Sequence, residues 1–117
     1  MKQRFINLLS QVQRPGIDNL INYLEHETDF FTAPASAKFH GAKEGGLMEH
    51  SLVVYDNLIK VFETFFEEFQ SDSLIIVALL HDVCKTNFYK KGIRNVKNDQ
   101  TKQWEQIEVY EIDDQLP

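Results

Sequence analysis

Residues 47–69, LMEHSLVVYDNLIKVFETFFEEF, decide the fold that this sequence predicts. Apolar side chains recur there at steps of three and four and form two adjacent stripes. One stripe comprises Met48, Leu52, Tyr55, Ile59, Phe62, Phe66 and Phe69, and the other Val54, Leu58, Val61 and Phe65. This spacing is typical of an amphipathic helix. We therefore predict that the segment is the main core helix.

A second apolar segment, LIIVALL at residues 74–80, follows the polar residues Ser71, Asp72 and Ser73. Because every position is apolar, we predict a helix buried on all sides, with its N-cap among these three polar residues. A buried strand is the alternative interpretation. Strands usually stop after about 4 to 8 residues, whereas this segment runs on through Lys85, so we favour a helix.

Two shorter helices are predicted before the main helix. Apolar residues at helical spacing indicate one helix over residues 5–12, and the sequence Arg14-Pro15-Gly16 ends it. The same spacing returns over residues 17–24 and predicts the second helix.

The remaining segments predict a loop and a hairpin. Residues 30–46 show no sustained period and are rich in glycine, so we predict an ordered loop there. Residues 88–96 and 104–112 are rich in Tyr, Ile, Val and Trp and flank a polar turn at residues 98–101. This pattern predicts a β-hairpin. The predicted fold class is mainly α, with a C-terminal β-hairpin.

The composition predicts one globular domain over residues 1–117. The chain carries a net charge of −6, and 43% of its residues are hydrophobic, which are ordinary values for such a domain. Its longest apolar run, residues 74–80, is far shorter than the ~20 residues that cross a bilayer. The N-terminus is too polar for a signal peptide. Together with the single Cys84, these features predict a cytoplasmic protein that does not span a membrane.

The residues that carry chemistry are His50 on the main helix and the pair His81-Asp82 after the apolar segment. We expect this pair to be buried, because it directly follows the apolar segment, and burial of a carboxylate without a partner costs several kcal/mol. We therefore expect hydrogen bonds, a counter-charge or a metal ion to satisfy the pair. His50 precedes Val54 and Leu58 at steps of four, so we expect it to project into the same core. Imidazole and carboxylate ligands together suit Mn, Fe, Zn or Co ions, whereas Mg²⁺ prefers oxygen ligands.

A metal site at these residues sets a geometric condition. A helix from His50 to Phe69 would advance about 28 Å, and the return from Ser73 to His81 covers only about 12 Å. The two histidines can therefore lie side by side only in three cases. The main helix ends near Phe65, the linker runs back along the main helix, or the two helices cross at a steep angle.

Two motifs, in this order, resemble the HD superfamily of metal-dependent phosphohydrolases. They are HGAKEGGLMEHSL at residues 40–52 and ALLHDVCK at residues 78–85. They are similar to the motifs HG-x-x-EGGL-x-EHS and LLHD-x-CK of bacterial and phage HD-domain hydrolases, and the resemblance covers about residues 14–117. It implies an HD-domain-like helical bundle, a divalent metal cofactor (Mn, Fe, Zn, Co or Mg), and hydrolysis of a nucleotide or other phosphoester.

The resemblance also implies roles for individual residues. His50, His81 and Asp82 correspond to metal ligands, and Asp82 can bridge two ions if the site is binuclear. Lys85 stands where the family has a lysine that contacts phosphate or assists the leaving group, and His40 corresponds to a histidine at the rim of the cleft. Both have simpler interpretations, because Lys85 is also compatible with a helix-terminal lysine that interacts with the helix dipole, and His40 with a loop histidine.

One ligand of the family has no counterpart in this sequence. The family completes its site with an aspartate from a later helix, and the sequence reaches Pro117 without such a helix. Asp113 and Asp114 are candidates by charge alone. We therefore expect a partial, apparently truncated HD-like domain, which either self-associates through its uncovered apolar face or is the ordered part of a longer protein. The alternative function is a catalytically incomplete module that binds a nucleotide or a protein partner.

Overall fold

A computed structural model describes residues 1–38 and 41–113, and this part of the chain forms four α-helices followed by a two-stranded antiparallel sheet. The elements are α1 (Lys2–Ser10), α2 (Ile17–His26), α3 (Gly46–Phe65), α4 (Ser71–Leu80), a short 3-10 helix (Val83–Lys85), β1 (Tyr89–Lys97) and β2 (Trp104–Ile112). The predicted fold class, mainly α with a C-terminal hairpin, is confirmed. None of the helices in the described ranges is long and apolar enough to cross a bilayer.

Helices α1 and α2 cover one side of the core. Phe5, Leu9 and Leu24 are fully buried, and the ring of Phe5 lies 5.0 Å from that of Phe30 between centroids. The first helix lies earlier in the chain than predicted, because it begins at Lys2 rather than near residue 5 and ends at Ser10 rather than near residue 12. Val12 is nevertheless only 4% exposed, so its apolar side chain joins the core from the turn after the helix.

Helix α3 begins where the loop before it passes very close to the helix. A Cβ atom on Gly46 would collide with the carbonyl oxygen of Gly41, so only glycine permits this approach. The helix ends at Phe65, and Phe66 is already extended. Of the three arrangements that could place His50 beside His81, the structure thus has the one in which the main helix ends early.

The predicted N-cap of α4 is wrong. Gln70 occupies the N-cap position, and its side chain makes no capping hydrogen bond. Asp72 Oδ2 instead accepts a hydrogen bond from the backbone N–H of Gln13 at 3.0 Å, and Ser73 Oγ accepts one from Arg14 at 2.9 Å. These polar side chains therefore hold α4 against the turn between α1 and α2.

The prediction that α4 is buried on every side is also wrong. Leu74, Ile75, Ala78 and Leu79 are buried, but Val77 is 61% exposed. The reason is that the elements in the described part of the chain cover only one face of this helix.

Strands β1 and β2 form the predicted hairpin. Their antiparallel register runs from Tyr89 opposite Ile112 to Lys97 opposite Trp104. Ile93 and Trp104 are 68% and 72% exposed, so the outer part of the hairpin lies in solvent. The described chain is accordingly elongated, with principal extents of 59, 33 and 25 Å.

Candidate metal centre

The structure brings His50, His81 and Asp82 together at one point. His50 Nε2 lies 3.3 Å from His81 Nε2 and 3.5 Å from Asp82 Oδ2. His81 Nε2 lies 3.3 Å from the same carboxylate oxygen. Each residue thus contributes one ligand atom to a cluster whose atoms all lie within 4.8 Å of one another.

The pairing of α3 with α4 explains this meeting of residues that are far apart in sequence. His50 lies in the second turn of α3, and His81 directly follows the last residue of α4. Residues 66–70 connect the two helices and reverse the chain, so that the start of α3 lies beside the end of α4. His81 keeps helical backbone angles, whereas Asp82 departs from them and turns its carboxylate towards both imidazoles.

A backbone contact fixes the orientation of the His81 ring. Nδ1 of His81 lies 2.8 Å from the carbonyl oxygen of Ala78. Because a carbonyl oxygen can only accept a hydrogen bond, Nδ1 is the donor in this contact, and a neutral ring with this donor has its lone pair on Nε2. That lone pair faces His50 and Asp82. Backbone carbonyls commonly orient histidine ligands of metal ions in this way.

The spacing of the three ligand atoms fits a shared divalent ion. Hydrogen bonds between a cationic nitrogen and a carboxylate are usually about 2.7–2.9 Å long, and the separations of 3.3 and 3.5 Å in the cluster exceed that range. Ligands about 2.0–2.2 Å from one ion lie roughly 2.8–3.1 Å from each other at octahedral angles and roughly 3.3–3.6 Å at tetrahedral angles. Two imidazole nitrogens and one carboxylate oxygen form a donor set that Mn, Fe, Zn and Co ions accept.

The prediction that the His-Asp pair is deeply buried is wrong. The side chains of His50, His81 and Asp82 are 44%, 31% and 21% exposed. The reason is that α4 ends at Leu80, so the pair lies in the turn beyond the buried part of the helix. Desolvation therefore does not itself require a partner for Asp82, and the case for a metal site rests on the convergence of the ligand atoms.

Lys85 lies beside this cluster. Its Nζ donates a hydrogen bond to the carbonyl oxygen of Ala35 at 2.8 Å and lies 3.6 Å from Asp82 Oδ2. Helix α4 ends five residues earlier, at Leu80, and the field of a helix dipole falls off within the last turn. The dipole of α4 therefore does not account for the position of this lysine.

The other residues singled out in the sequence do not join the cluster. His40 and Asp114 lie outside the described residues. Asp113 follows β2, where its backbone N–H donates to the carbonyl of Phe88 at 2.8 Å. Within residues 1–38 and 41–113, the group with metal-ligand geometry comprises only the two histidines and Asp82.

A cleft beside His50 is the part of the site that sequence reasoning missed. Its volume is about 480 Å³, and its lining comprises Gly41, Lys43, Gly46, Glu49, His50 and Val53. Lys43 Nζ lies 2.8 Å from Glu49 Oε2 across this lining. The sequence does hold a signal for it, because both charged residues flank the Gly45-Gly46 pair within the first motif.

Comparison with known proteins shows a similarity to a phosphodiesterase. The chain is 39% identical over 64 residues to the dihydroneopterin 2',3'-cyclic phosphate phosphodiesterase of Methanocaldococcus jannaschii. The alignment covers 50% of this chain and 26% of that protein, so the chain spans about a quarter of the length of this relative. No family profile matches the sequence, and no solved structure matches it.

Proposed function

We propose that this chain carries the site of a metal-dependent phosphohydrolase of the HD superfamily, which hydrolyses a phosphoester of a nucleotide or another phosphorylated small molecule. The observation that carries the proposal is the convergence of His50, His81 and Asp82, with ligand atoms 3.3–3.5 Å apart. The two sequence motifs support the superfamily. The similarity to a phosphodiesterase supports the class of reaction.

The three converging residues are the proposed ligands of the ion. When bound, a divalent ion lowers the pKa of a water molecule towards neutrality and neutralises charge on the phosphoryl oxygens. The hydrogen bond from His81 Nδ1 to Ala78 holds the imidazole in the orientation that ligation requires. Asp82 contributes negative charge, which favours a divalent cation over a neutral ligand.

Lys85 is proposed to act on the phosphate. Its ammonium group lies 3.6 Å from Asp82 Oδ2, and the carbonyl of Ala35 holds it there. A substrate phosphoryl group at the cluster would therefore lie within reach of a fixed positive charge. Charge-assisted contacts of this kind stabilise the negative charge that develops during phosphoryl transfer.

The first substrates to test are nucleoside 2',3'-cyclic phosphates, since the named substrate of the relative contains the same cyclic diester. In this reaction water adds to phosphorus, one P–O bond to the ribose breaks, and the released oxygen takes a proton to become a hydroxyl. The product is a nucleoside monophosphate. Bis(p-nitrophenyl) phosphate and p-nitrophenyl phosphate extend the test to an open diester and a monoester.

The experiment is a hydrolysis assay of these substrates with Mn²⁺, Fe²⁺, Co²⁺, Zn²⁺ or Mg²⁺, with and without chelator. We expect turnover that requires a metal and falls about 100-fold or more in His50→Ala, because a ligand is lost. His26→Ala, at the exposed end of α2, is the matched control and should keep full activity. Turnover that chelator leaves unchanged would contradict the metal, and binding without turnover would favour the incomplete module.

A further inference from the structure

The cleft beside His50 has no role in metal binding, because His50 is, among the described residues, the one lining residue that belongs to the metal cluster. His50 lines the cleft and also belongs to the metal cluster, so the two adjoin at this residue. A substrate whose phosphoester reaches the cluster must place the rest of its structure nearby. The volume of about 480 Å³ lies within the range of small-molecule sites, which is about 300–1,000 Å³.

The charges along the cleft come from one ion pair. Lys43 Nζ lies 2.8 Å from Glu49 Oε2, and the two side chains are 61% and 40% exposed. Their opposite charges cancel. A second anionic group of the substrate would be repelled by the carboxylate as well as attracted by the ammonium, so the cleft does not favour such a group. Exposed ion pairs contribute little to stability, so a ligand can insert between these side chains. The pair thus presents a hydrogen-bond donor, Lys43, next to an acceptor, Glu49. It favours a neutral ligand group that carries an acceptor next to a donor.

We propose that this cleft binds the base of the substrate, and that Lys43 and Glu49 together select a lactam with an adjacent amino group, as in guanine or a pterin. The lactam oxygen accepts a hydrogen bond from Lys43 Nζ. The ring N–H and the exocyclic amine donate to the two oxygens of the Glu49 carboxylate. Adenine has an amine in place of the lactam oxygen and an acceptor in place of the ring N–H, so in the same pose its amine would face the Lys43 ammonium and its ring nitrogen would face the Glu49 carboxylate. This inference rests on the proposed function.

The remaining lining of the cleft suits a flat ring. Gly41 and Gly46 present bare backbone, and steric contacts with Ala35 and with Gly41 itself forbid a Cβ atom at either position. Val53 is 49% exposed and offers an apolar contact to one face of a ring. His50 is the lining residue that the cleft shares with the metal cluster, so the phosphoester would lie on its side of the cleft.

The test compares guanosine, adenosine and dihydroneopterin 2',3'-cyclic phosphates as substrates, with the best metal of the hydrolysis assay. We expect kcat/KM to be about 10- to 100-fold higher for the substrates with the lactam edge than for the adenosine compound, mainly through KM. The ratio between the guanosine and dihydroneopterin compounds then distinguishes the two sources of this edge. Glu49→Gln should reduce the preference over adenosine about 10-fold or more, because an amide cannot accept both hydrogen bonds. Glu63→Gln, an exposed change further along α3, should leave the preference unchanged.

A binding measurement separates this inference from the proposed function. Calorimetric titration of the metal-free protein with guanosine and adenosine 3'-monophosphates needs no turnover, and we expect tighter binding of the guanosine compound, lost in Glu49→Gln. Circular dichroism of the variant checks that its fold is intact. Hydrolysis of all three cyclic phosphates with equal kcat/KM would overturn the inference and leave the proposed function standing. Preferential guanosine binding without hydrolysis would support the inference and count against the proposed function, and binding of neither nucleotide would overturn the inference.

Discussion

Asp29 and Asn87 exchange a reciprocal pair of hydrogen bonds between the loop after α2 and the turn before β1. The backbone N–H of Asn87 donates to Asp29 Oδ1 at 2.6 Å, and the backbone N–H of Asp29 donates to Asn87 Oδ1 at 3.1 Å. Asn87 has a φ of 55°, in the left-handed region that asparagine tolerates better than most residues. These contacts, between residues 58 positions apart, fix the point at which the hairpin leaves the helices.

Removal of the Asp29 carboxylate should destabilise the protein. Asp29→Ala leaves the N–H of Asn87 without its acceptor at a site open to water, and we expect the free energy of unfolding to fall by about 0.5–1.5 kcal/mol in urea denaturation. Asn87→Gly keeps the left-handed backbone and removes only the side-chain acceptor, so its loss should be smaller than that of Asn87→Ala. An Asp29→Ala variant as stable as the wild type would show that the contact does not contribute.

A divalent ion should stabilise the folded chain through the three converging residues. At a metal concentration about 100 times the dissociation constant, the expected gain is about 2.7 kcal/mol, visible as a higher Tm that chelator reverses. Asp82→Ala should remove this response. Asp99→Ala, an exposed change in the hairpin turn, should keep it. A wild-type Tm that does not change with Mn²⁺, Zn²⁺ or chelator would contradict the metal site.

The hydroxyl of Ser51 should contribute nothing to stability. Ser51 is fully buried, and its Oγ has no hydrogen-bond partner among the described residues. Burial of an unpaired hydroxyl is unfavourable, so we expect the unfolding free energy of Ser51→Ala to equal that of the wild type or exceed it by about 1 kcal/mol. Leu52→Ala, at the neighbouring buried position, should lose about 2–5 kcal/mol. A comparable loss in Ser51→Ala would reveal a partner for the hydroxyl.

The ion pair between Arg4 and Asp56 joins α1 to α3 and should make stability depend on pH. Its hydrogen bond to the Arg4 guanidinium lowers the pKa of Asp56. A lowered pKa means that the stabilisation is present above the unfolded value of about 4 and is lost as pH falls through the lower folded value. Asp56→Asn should therefore lose less stability between about pH 5 and 2 than the wild type does. The side chains are 49% and 45% exposed, so we expect a difference of about 0.5 kcal/mol. Identical acid dependence in both proteins would contradict this role.

Self-association remains a prediction. The exposed apolar side chains near the ends and along the open side of α3 and α4 are Val53, Val61, Phe65, Phe66 and Val77. Contacts between copies would remove them from water, so we expect the mass measured by light scattering to rise with protein concentration. Val77→Lys should lower that mass, whereas Trp104→Ser, on the hairpin, should not. A monomer at every concentration would contradict the prediction.

The sequence predicted the positions of α2 and of both strands well, but its apolar pattern extended the main helix four residues too far, to Phe69 instead of Phe65. Both strands lie within one residue of their predicted ends, and α2 begins at Ile17 as expected. The three candidate ligands were also chosen from the sequence, since residue type and motif identify His50, His81 and Asp82 without coordinates. The pattern of neighbouring residues suffices to predict helix and strand positions and candidate ligands, because each of these depends on residues close together in the sequence.

Features that depend on distant contacts could not be predicted. Burial of α4 on a single face depends on which elements surround Val77, and its own sequence is apolar throughout. The contact between Lys85 and Ala35 joins residues 50 positions apart. The ion pair of Lys43 with Glu49 lines a cleft, and that cleft forms only because the loop before α3 folds back against the helix.

The position of Trp104 has a consequence for spectroscopy. It is the only tryptophan in the sequence and lies on the hairpin, 72% exposed, so tryptophan fluorescence reports on the sheet and not on the helical core. Far-ultraviolet circular dichroism reports mainly on the helices. Coincident denaturation curves from the two signals would show that helices and hairpin unfold as one cooperative unit, whereas separated midpoints would identify the hairpin as an independently melting arm.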